Sequence, residues 1–193
     1  RMSRPSPDTE GGTSMIDSDA VMKRVFSRKA FIPFVTCGDP DIETTEKLVR
    51  AMAAAGADLI ELGIPFSDPI AEGPVIQNAD VRALSAGTTT DDIFDMAMRI
   101  RKDLDVPMLV MTYFNPVFVY GRERFLQRCE DAEICAVIVP DLPYEEKGDL
   151  QEYCTRHGVK LISMIAPTSE DRISIIASHA EGFLYVVSSL GVT

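Results

Sequence analysis

The feature that most constrains the fold is a regular alternation of short apolar runs with amphipathic helical segments from Ala30 onward. Short apolar runs bounded by Gly, Pro or Asp predict buried strands of a parallel sheet. Such runs occur at residues 31–36, 59–62, 108–111, 136–139, 161–165 and 183–187. The segments between them carry apolar residues at helical spacing, and one begins with a capping box at Thr89. Repeated strand–helix steps predict a parallel sheet with helices outside it.

Two architectures contain such a sheet, and the polar residues distinguish them. A doubly wound sheet usually carries a Gly-rich turn after its first strand, whereas residues 36–40 contain a single Gly. A barrel collects polar residues at the C-terminal ends of several strands, and Glu61, Tyr113 and Asp141 lie in or just after successive predicted strands. We therefore expect an α/β fold, a (β/α)8 TIM barrel, of which this sequence supplies about the first six βα units.

One predicted strand, residues 59–62, contains a carboxylate and leads into a Pro-rich acidic loop. Glu61 lies within the apolar run, and Asp68 and Glu72 follow on the loop. A buried Glu is costly unless it is paired, hydrogen-bonded or protonated. This pattern favours acid–base chemistry. Two structural alternatives remain open at this point, an edge-strand residue facing water and a salt-bridged structural acid.

Composition narrows the classes of ligand. The net charge is −11 over 193 residues, which argues against a nucleic-acid surface because such surfaces need clustered Lys and Arg. No apolar run approaches the roughly 20 residues of a membrane span. An anionic substrate would be held locally, by backbone amides or helix N-termini.

The cysteines indicate a reducing compartment. They are Cys37, Cys129, Cys135 and Cys154. None forms a C-x-x-C pair, and neither histidine lies near such a pair, so we expect neither a zinc site nor a disulfide framework. Buried reduced thiols in a cytoplasmic protein fit this pattern better.

The N-terminal segment differs in composition from the remainder. Residues 1–19 are polar and contain Gly, Pro and several acids, without the apolar centre of a signal peptide. We expect residues 1–19 to form a mobile tail and residues 20–193 to form the N-terminal part of a single TIM-barrel domain.

Several blocks of sequence resemble one enzyme family. Residues 31–40 read F-I-P-F-V-T-C-G-D-P, residues 61–69 read E-L-G-I-P-F-S-D-P, and residues 73–77 read G-P-V-I-Q. With Tyr113-x-Asn115, residues 139–146 and residues 188–193, they resemble the tryptophan synthase alpha subunit family. The resemblance extends from about Ala30 to the C-terminus.

The resemblance implies a lyase of tryptophan biosynthesis. Members of the family are TIM barrels that cleave indole-3-glycerol phosphate to indole and glyceraldehyde 3-phosphate without a metal or organic cofactor. It also implies a partner, a beta subunit that contains pyridoxal phosphate and receives the indole in an α2β2 complex.

The resemblance further implies roles for individual residues. Glu61 matches the general acid–base, and Glu72 matches the second acid, normally Asp, which accepts the indole N–H. The positions matching the indole pocket are Phe34, Met111, Tyr113, Ile138, Met164 and Tyr185. Asp68, Pro69 and Asp141 match residues that communicate with the beta subunit, and Thr193 matches the hinge of a loop that closes over substrate. By residue type alone, Phe34 and Met111 are typical of a core and Asp141 of a turn.

Two departures from the family keep other functions open. Glu72 stands where Asp is usual, and the family's phosphate-binding glycines and serine have no counterparts in these residues. The alternatives are a stand-alone indole-3-glycerol phosphate lyase and a non-catalytic partner that activates a beta subunit. Since an open six-stranded sheet would leave apolar edges unpaired, we also expect the physical protein to continue past Thr193.

Overall fold

The computed structural model of the chain describes residues 16–166 and 172–187. Most of the predicted tail, residues 1–19, lies outside these residues, as does Thr193. The helices are α1 (Ser18–Val25), α2 (Ile42–Ala54), α3 (Pro74–Ser85), α4 (Thr90–Arg101), α5 (Phe114–Tyr120), α6 (Arg122–Asp131), α7 (Gly148–Arg156) and α8 (Ile173–Ser178). The strands are β1 (Phe34–Thr36), β2 (Ile60–Gly63), β3 (Met108–Met111), β4 (Ile134–Ile138), β5 (Lys160–Leu161), β6 (Ser163–Ile165) and β7 (Leu184–Val186). None of the helices in this described part is long and apolar enough to cross a bilayer.

The strands pair in the order in which they occur along the chain. Strands β1 to β5 form one parallel sheet in sequential order, and β6 pairs with β7, also in parallel. The fifth predicted strand is interrupted at Ile162, whose N–H donates to the carbonyl of Val137 in β4 at 3.0 Å. Sequential order is the order of a barrel, since a doubly wound sheet reverses direction at a switch point.

Alternate side chains of each strand divide the core into two layers. The outer layer lies between the sheet and the helices, and from the strands it includes Ile60, Leu62, Met108, Val110, Ile134 and Val137. The inner layer lies on the opposite face, and its apolar residues include Leu59, just before β2, and the strand residues Leu109, Met111, Ile138, Met164 and Tyr185. In β4 the register shifts, so that Cys135 and Ala136 both belong to the inner layer, as a bulge requires.

Helix α5 was missed by the sequence analysis. Its first turn contains Pro116, which that position tolerates, but its residues F-N-P-V-F-V-Y lack a local cap. The cap comes from elsewhere in the chain, because Asp141 Oδ1 accepts a hydrogen bond from the Phe114 N–H at 2.8 Å. A helix end stabilised by a residue 27 positions away has no signature in its own sequence.

Other boundaries shifted for local reasons. Strand β1 is shorter than predicted and begins at Phe34, and Phe31 is 57 % exposed. Asp41 caps helix α2 by accepting from the Thr44 N–H at 2.6 Å, while Asp39 instead pairs with Arg82 at 2.7 Å. The predicted capping box at Thr89 is confirmed.

Candidate active site

Glu61 is a buried acid in the middle of the sheet. It lies on β2 between β1 and β3 and is 5 % exposed. Burial raises the pKa of its carboxyl to about 7. Among the described residues, none forms a hydrogen bond or ion pair with this carboxylate. Both structural alternatives are therefore wrong within the described part, because Glu61 is neither at a sheet edge nor salt-bridged.

The inner layer around Glu61 forms an open apolar cavity. Phe34 is the register partner of Glu61 on β1, and both line a cavity of about 350 Å³ with Phe183 and Tyr185. Gly63 leaves room for the Phe34 ring, because a Cβ at this position would lie 2.5 Å from Phe34 Cζ. A flat apolar ligand would fit this kind of surface.

The other predicted pocket residues also lie on or beside the inner face. Met111, Ile138, Met164 and Tyr185 all belong to the inner layer. Tyr113 follows β3 directly and is buried at the N-terminus of α5. The structure thus brings these positions together at the C-terminal ends of the strands, where barrels bind ligands. The substrate contacts assigned to them stay predictions.

Glu72 reaches the same region from the loop between β2 and α3. Its Oε1 accepts a hydrogen bond from the Tyr113 hydroxyl at 3.2 Å, and that hydroxyl oxygen accepts from the Ala71 N–H at 2.9 Å. Burial raises the pKa of the Glu72 carboxyl, and the Tyr113 hydrogen bond lowers it in part. Tyr113 therefore holds both the backbone and the carboxylate of this part of the loop.

The charges of both acids act on Tyr185. Burial first, and then the charges of Glu61 and Glu72, raise the pKa of its hydroxyl. One acid from a strand and one from a loop thus act on a single inner-layer side chain.

The predicted communication residues lie on the neighbouring loops. Asp68 is exposed and accepts a hydrogen bond from the Ser67 hydroxyl, and Pro69 follows it half-buried. Asp141 is half-buried, caps α5, and its charge contributes to raising the pKa of Tyr113, after burial and Glu72. Both loops follow the C-terminal ends of strands, so they lie at the same rim of the sheet.

Asp80 is a site residue that the sequence analysis did not identify. It lies on α3, is 6 % exposed, and lines a small cavity together with Glu72 and Tyr113. Its sequence signal was an acid at helical spacing from Ile76 and Ala83, within the buried stripe of α3. Because Asp is rarely fully buried, an Asp within such a stripe could have been recognised from the sequence as a candidate site residue.

The remaining chemistry-bearing residues are not arranged as a metal site. All four cysteines are buried and free, as expected for reduced thiols. Within residues 16–166 and 172–187, no three His, Cys, Asp or Glu side chains are grouped so as to hold a metal ion. The candidate site therefore comprises two neighbouring cavities, one lined by Glu61 and the other by Glu72 and Asp80, and Phe34 lines both.

Comparison with known proteins gives a consistent set of matches. The family model described as tryptophan synthase alpha chain matches residues 22–193. The tryptophan synthase alpha chain of Alkaliphilus metalliredigens is 52 % identical over 168 residues, which cover 87 % of this chain and 63 % of that protein. The Lacticaseibacillus casei alpha chain is 50 % identical, with 86 % and 63 % covered. The chain thus spans about 63 % of the length of these curated relatives.

Solved structures of the same family also resemble this chain. Tryptophan synthase subunit alpha from Legionella pneumophila superimposes with a TM-score of 0.83 at 39 % identity, covering 91 % of this chain and 68 % of that one. A structure of the tryptophan synthase α2β2 complex from Pyrococcus furiosus, described as a basis of mutual activation, gives 0.79 at 35 % identity, covering 85 % and 66 %. These matches confirm the TIM-barrel prediction.

Proposed function

Since the chain belongs to the tryptophan synthase alpha chain family, we propose that it catalyses the alpha reaction of tryptophan biosynthesis. In that reaction, indole-3-glycerol phosphate is cleaved to indole and glyceraldehyde 3-phosphate, a carbon–carbon lyase reaction. The observation that carries the proposal is Glu61, a buried acid without a partner in the described structure, facing an open apolar cavity.

The environment of Glu61 suits the proton transfers that the cleavage requires. A carboxyl with a pKa of about 7 holds a proton at neutral pH and readily exchanges it, as a general acid–base must. Glu61 donates this proton to C3 of the indole ring, and the ring nitrogen takes up positive charge. The hydroxyl on the adjoining side-chain carbon then returns a proton to Glu61, the carbon–carbon bond breaks, and its electron pair restores the aromatic ring.

Glu72 supplies the compensating acceptor. Its carboxylate accepts the indole N–H, which becomes more acidic as the ring is protonated, so this hydrogen bond strengthens toward the transition state. The Glu side chain is one methylene longer than the usual Asp. The hydrogen bond from Tyr113 at 3.2 Å provides a fixed point that limits where this longer side chain lies.

The partner and the cofactor follow from the family rather than from this chain. We propose that the rim loops carrying Asp68, Pro69 and Asp141 contact a beta subunit that contains pyridoxal phosphate. We also propose that the present chain, the alpha subunit, uses no cofactor itself. Support comes from the exposure of Asp68 and from the α2β2 complex among the similar structures. The four buried free thiols favour a cytoplasmic location.

The experiment measures indole release from indole-3-glycerol phosphate by the full-length protein, alone and with a beta subunit. We expect release that rises when the beta subunit is added. Equal release in both conditions would instead identify a stand-alone lyase. Absence of release, together with a faster beta reaction, would identify a non-catalytic activator.

A pair of variants tests the assignment of Glu61. Glu61→Gln keeps the shape of the side chain and removes its transferable proton, so indole release should fall about 10²–10⁴-fold. Glu152→Gln, on an exposed position of α7, is the matched control and should behave like the wild type. Wild-type turnover in Glu61→Gln, with unchanged circular dichroism, would refute the role of Glu61.

A further inference from the structure

We propose that Asp80 is a positioning residue for Glu72. Asp80 fixes the loop between β2 and α3 through the Phe66 amide, and it stays protonated so that Glu72 carries the negative charge of the pair. The inference rests on the function proposed for Glu72 and deepens it. It assigns a role to a residue that contacts neither Glu61 nor the open cavity around it.

The first support is the hydrogen bonding of the loop. Asp80 is buried on α3 and lines one small cavity with Glu72 and Tyr113, and the Phe66 N–H at the start of the loop acts on its carboxyl, lowering in part a pKa that burial and the charge of Glu72 raise. At the other end, Tyr113 binds the Ala71 N–H at 2.9 Å and the Glu72 carboxylate at 3.2 Å. The Phe66 ring also packs on the Tyr113 ring, with centroids 5.3 Å apart. Tyr113 therefore holds the loop at both ends, through ring packing at Phe66 and hydrogen bonds at Ala71 and Glu72, and Asp80 faces the loop from α3.

The second support is the burial of Asp80. Only two acids in the described residues are buried, and they are Glu61 and Asp80. The Glu61 acid has an assigned chemical task, whereas Asp80 would be an unexplained cost in a helix that otherwise buries alanines at Ala79 and Ala83. The Phe66 amide favours the charged form of Asp80 and offsets part of this cost.

The third support is the proximity of two carboxyl groups. Asp80 and Glu72 line the same cavity, which measures about 10 Å³, room for about one water molecule. Two carboxylates that share a small buried space do not both ionise at neutral pH without a large cost. One of them therefore keeps a proton.

The proton is assigned to Asp80. Burial first, and then the charge of Glu72, raise the pKa of Asp80 to about 7, although the Phe66 N–H lowers it in part. Burial also raises the pKa of Glu72, but the Tyr113 hydroxyl donates to its carboxylate and opposes that rise. The hydrogen bond from Tyr113 stabilises the anionic form of Glu72, which is the acceptor that an indole N–H needs.

The other ionisable groups nearby do not change this assignment. Facing the pair from the strand side is Tyr113, whose pKa is raised to about 12, so its hydroxyl stays neutral. Tyr185 lies close enough to Glu72 for the two to interact, and its pKa is also raised. On the same helix as Asp80, Arg82 is turned to the surface, where it pairs with Asp39 at 2.7 Å.

The first test needs no substrate. Carbon-13 NMR titration of the side-chain carboxyls should show the Asp80 midpoint moving to lower pH in Glu72→Gln, because the neighbouring charge is gone. The control Glu152→Gln should leave the Asp80 midpoint where it is. An Asp80 midpoint that is the same in Glu72→Gln and wild type would overturn the charge assignment.

The second test separates positioning from a merely structural role. Asp80→Asn keeps an oxygen for the Phe66 N–H, whereas Asp80→Ala removes it. In Asp80→Ala, hydrogen exchange at the Phe66 amide should accelerate, and kcat for indole release should fall about 10²-fold, the scale of a misplaced catalytic group. Asp80→Asn should recover most of both losses at pH 6.

These readouts distinguish the inference from the function on which it rests. If the wild type releases no indole, the proposed function fails, while the titration and the amide exchange still decide the role of Asp80. If Asp80→Ala exchanges the Phe66 amide at the wild-type rate and keeps its kcat, the positioning role is wrong even though the lyase function stands.

Discussion

The outer and inner layers are built from alternate residues of the same strands, yet they have opposite character. In the outer layer, Leu62 and Val110 pack with Phe94 and Phe125, and all four are essentially inaccessible to solvent. The inner layer instead contains the carboxyl of Glu61 and an open cavity beside it. One face of the sheet is thus packed against helices, whereas the other face holds an acid beside a cavity.

Two glutamates illustrate the same contrast electrostatically. On the helical side, burial acts to raise the pKa of Glu46, but hydrogen bonds from Arg50 and Arg99 outweigh it and lower the pKa overall. On the inner side, burial alone acts on Glu61 and raises its pKa to about 7. Glu46 is thereby an ordinary surface anion, whereas Glu61 is an acid that retains its proton near neutral pH.

The largest expected effect tests the packed layer. Phe125 is fully buried and meets Phe94 edge to face with ring centroids 5.3 Å apart. Phe125→Ala should lower the free energy of unfolding by about 3–5 kcal/mol, because it removes a large apolar side chain and leaves a cavity. Chemical denaturation measures this. Phe118→Ala, at a position 59 % exposed, is the control, and an equal loss there would remove the distinction between packed and exposed positions.

The next effect concerns chemistry on the inner side. Glu72→Ala removes the acceptor for the indole N–H and should reduce the rate of indole release about 10²-fold. Glu72→Asp restores the usual acid and should retain substantial activity, since Tyr113 remains available to bind it. Steady-state kinetics at one pH compare the two variants. Comparable rates for Glu72→Ala and wild type would show that Glu72 has no role in the reaction.

The next prediction concerns the pH dependence of stability, because a buried unpaired acid destabilises the folded protein at high pH. The folded Glu61 carboxyl keeps its proton up to about pH 7, whereas the unfolded chain releases it near the ordinary value of 4.5. Folding therefore takes up a proton between these pH values, so the stabilisation from Glu61 is complete below 4.5 and is lost as the pH rises through 7.

Glu61→Gln should for this reason be more stable than the wild type at pH 8, by about 2 kcal/mol once solvent screening at the cavity is included. Urea unfolding at pH 4 and pH 8 measures the difference. Glu46→Gln should show no such gain at pH 8, because Glu46 is paired with arginines. A Glu61→Gln variant less stable than the wild type at pH 8 would contradict the unpaired burial of Glu61.

The smallest effect concerns the rim. Asp68 is exposed, and its side chain accepts a hydrogen bond from neighbouring Ser67, so Asp68→Ala should change the free energy of unfolding little. If its loop meets the beta subunit, mutual activation should fall about tenfold, within the usual range of coupling free energies. Titration of the beta reaction with each variant measures this. Unchanged activation would show that the partner contacts lie elsewhere.

The periodic features of the fold were readable from the sequence because they depend on local spacing. Strand Met108–Met111 was predicted with its observed bounds, and the Thr89 capping box was visible from the residues it joins. The E-L-G-I-P-F-S-D-P block identified the family and pointed to Glu61. Each of these signals lies within about ten residues of chain.

The tertiary structure decided what depends on contacts between distant segments. Helix α5 is capped by Asp141, and Glu72 and Asp80 share a small cavity with Tyr113 from the end of another strand, so neither environment exists until strands and loops are in register. The sequence showed an acid in an apolar run at Glu61, but only the sheet shows that it lies between two strands on the inner face. Burial and the resulting pKa arise from neighbours far apart in sequence, and local spacing does not contain them.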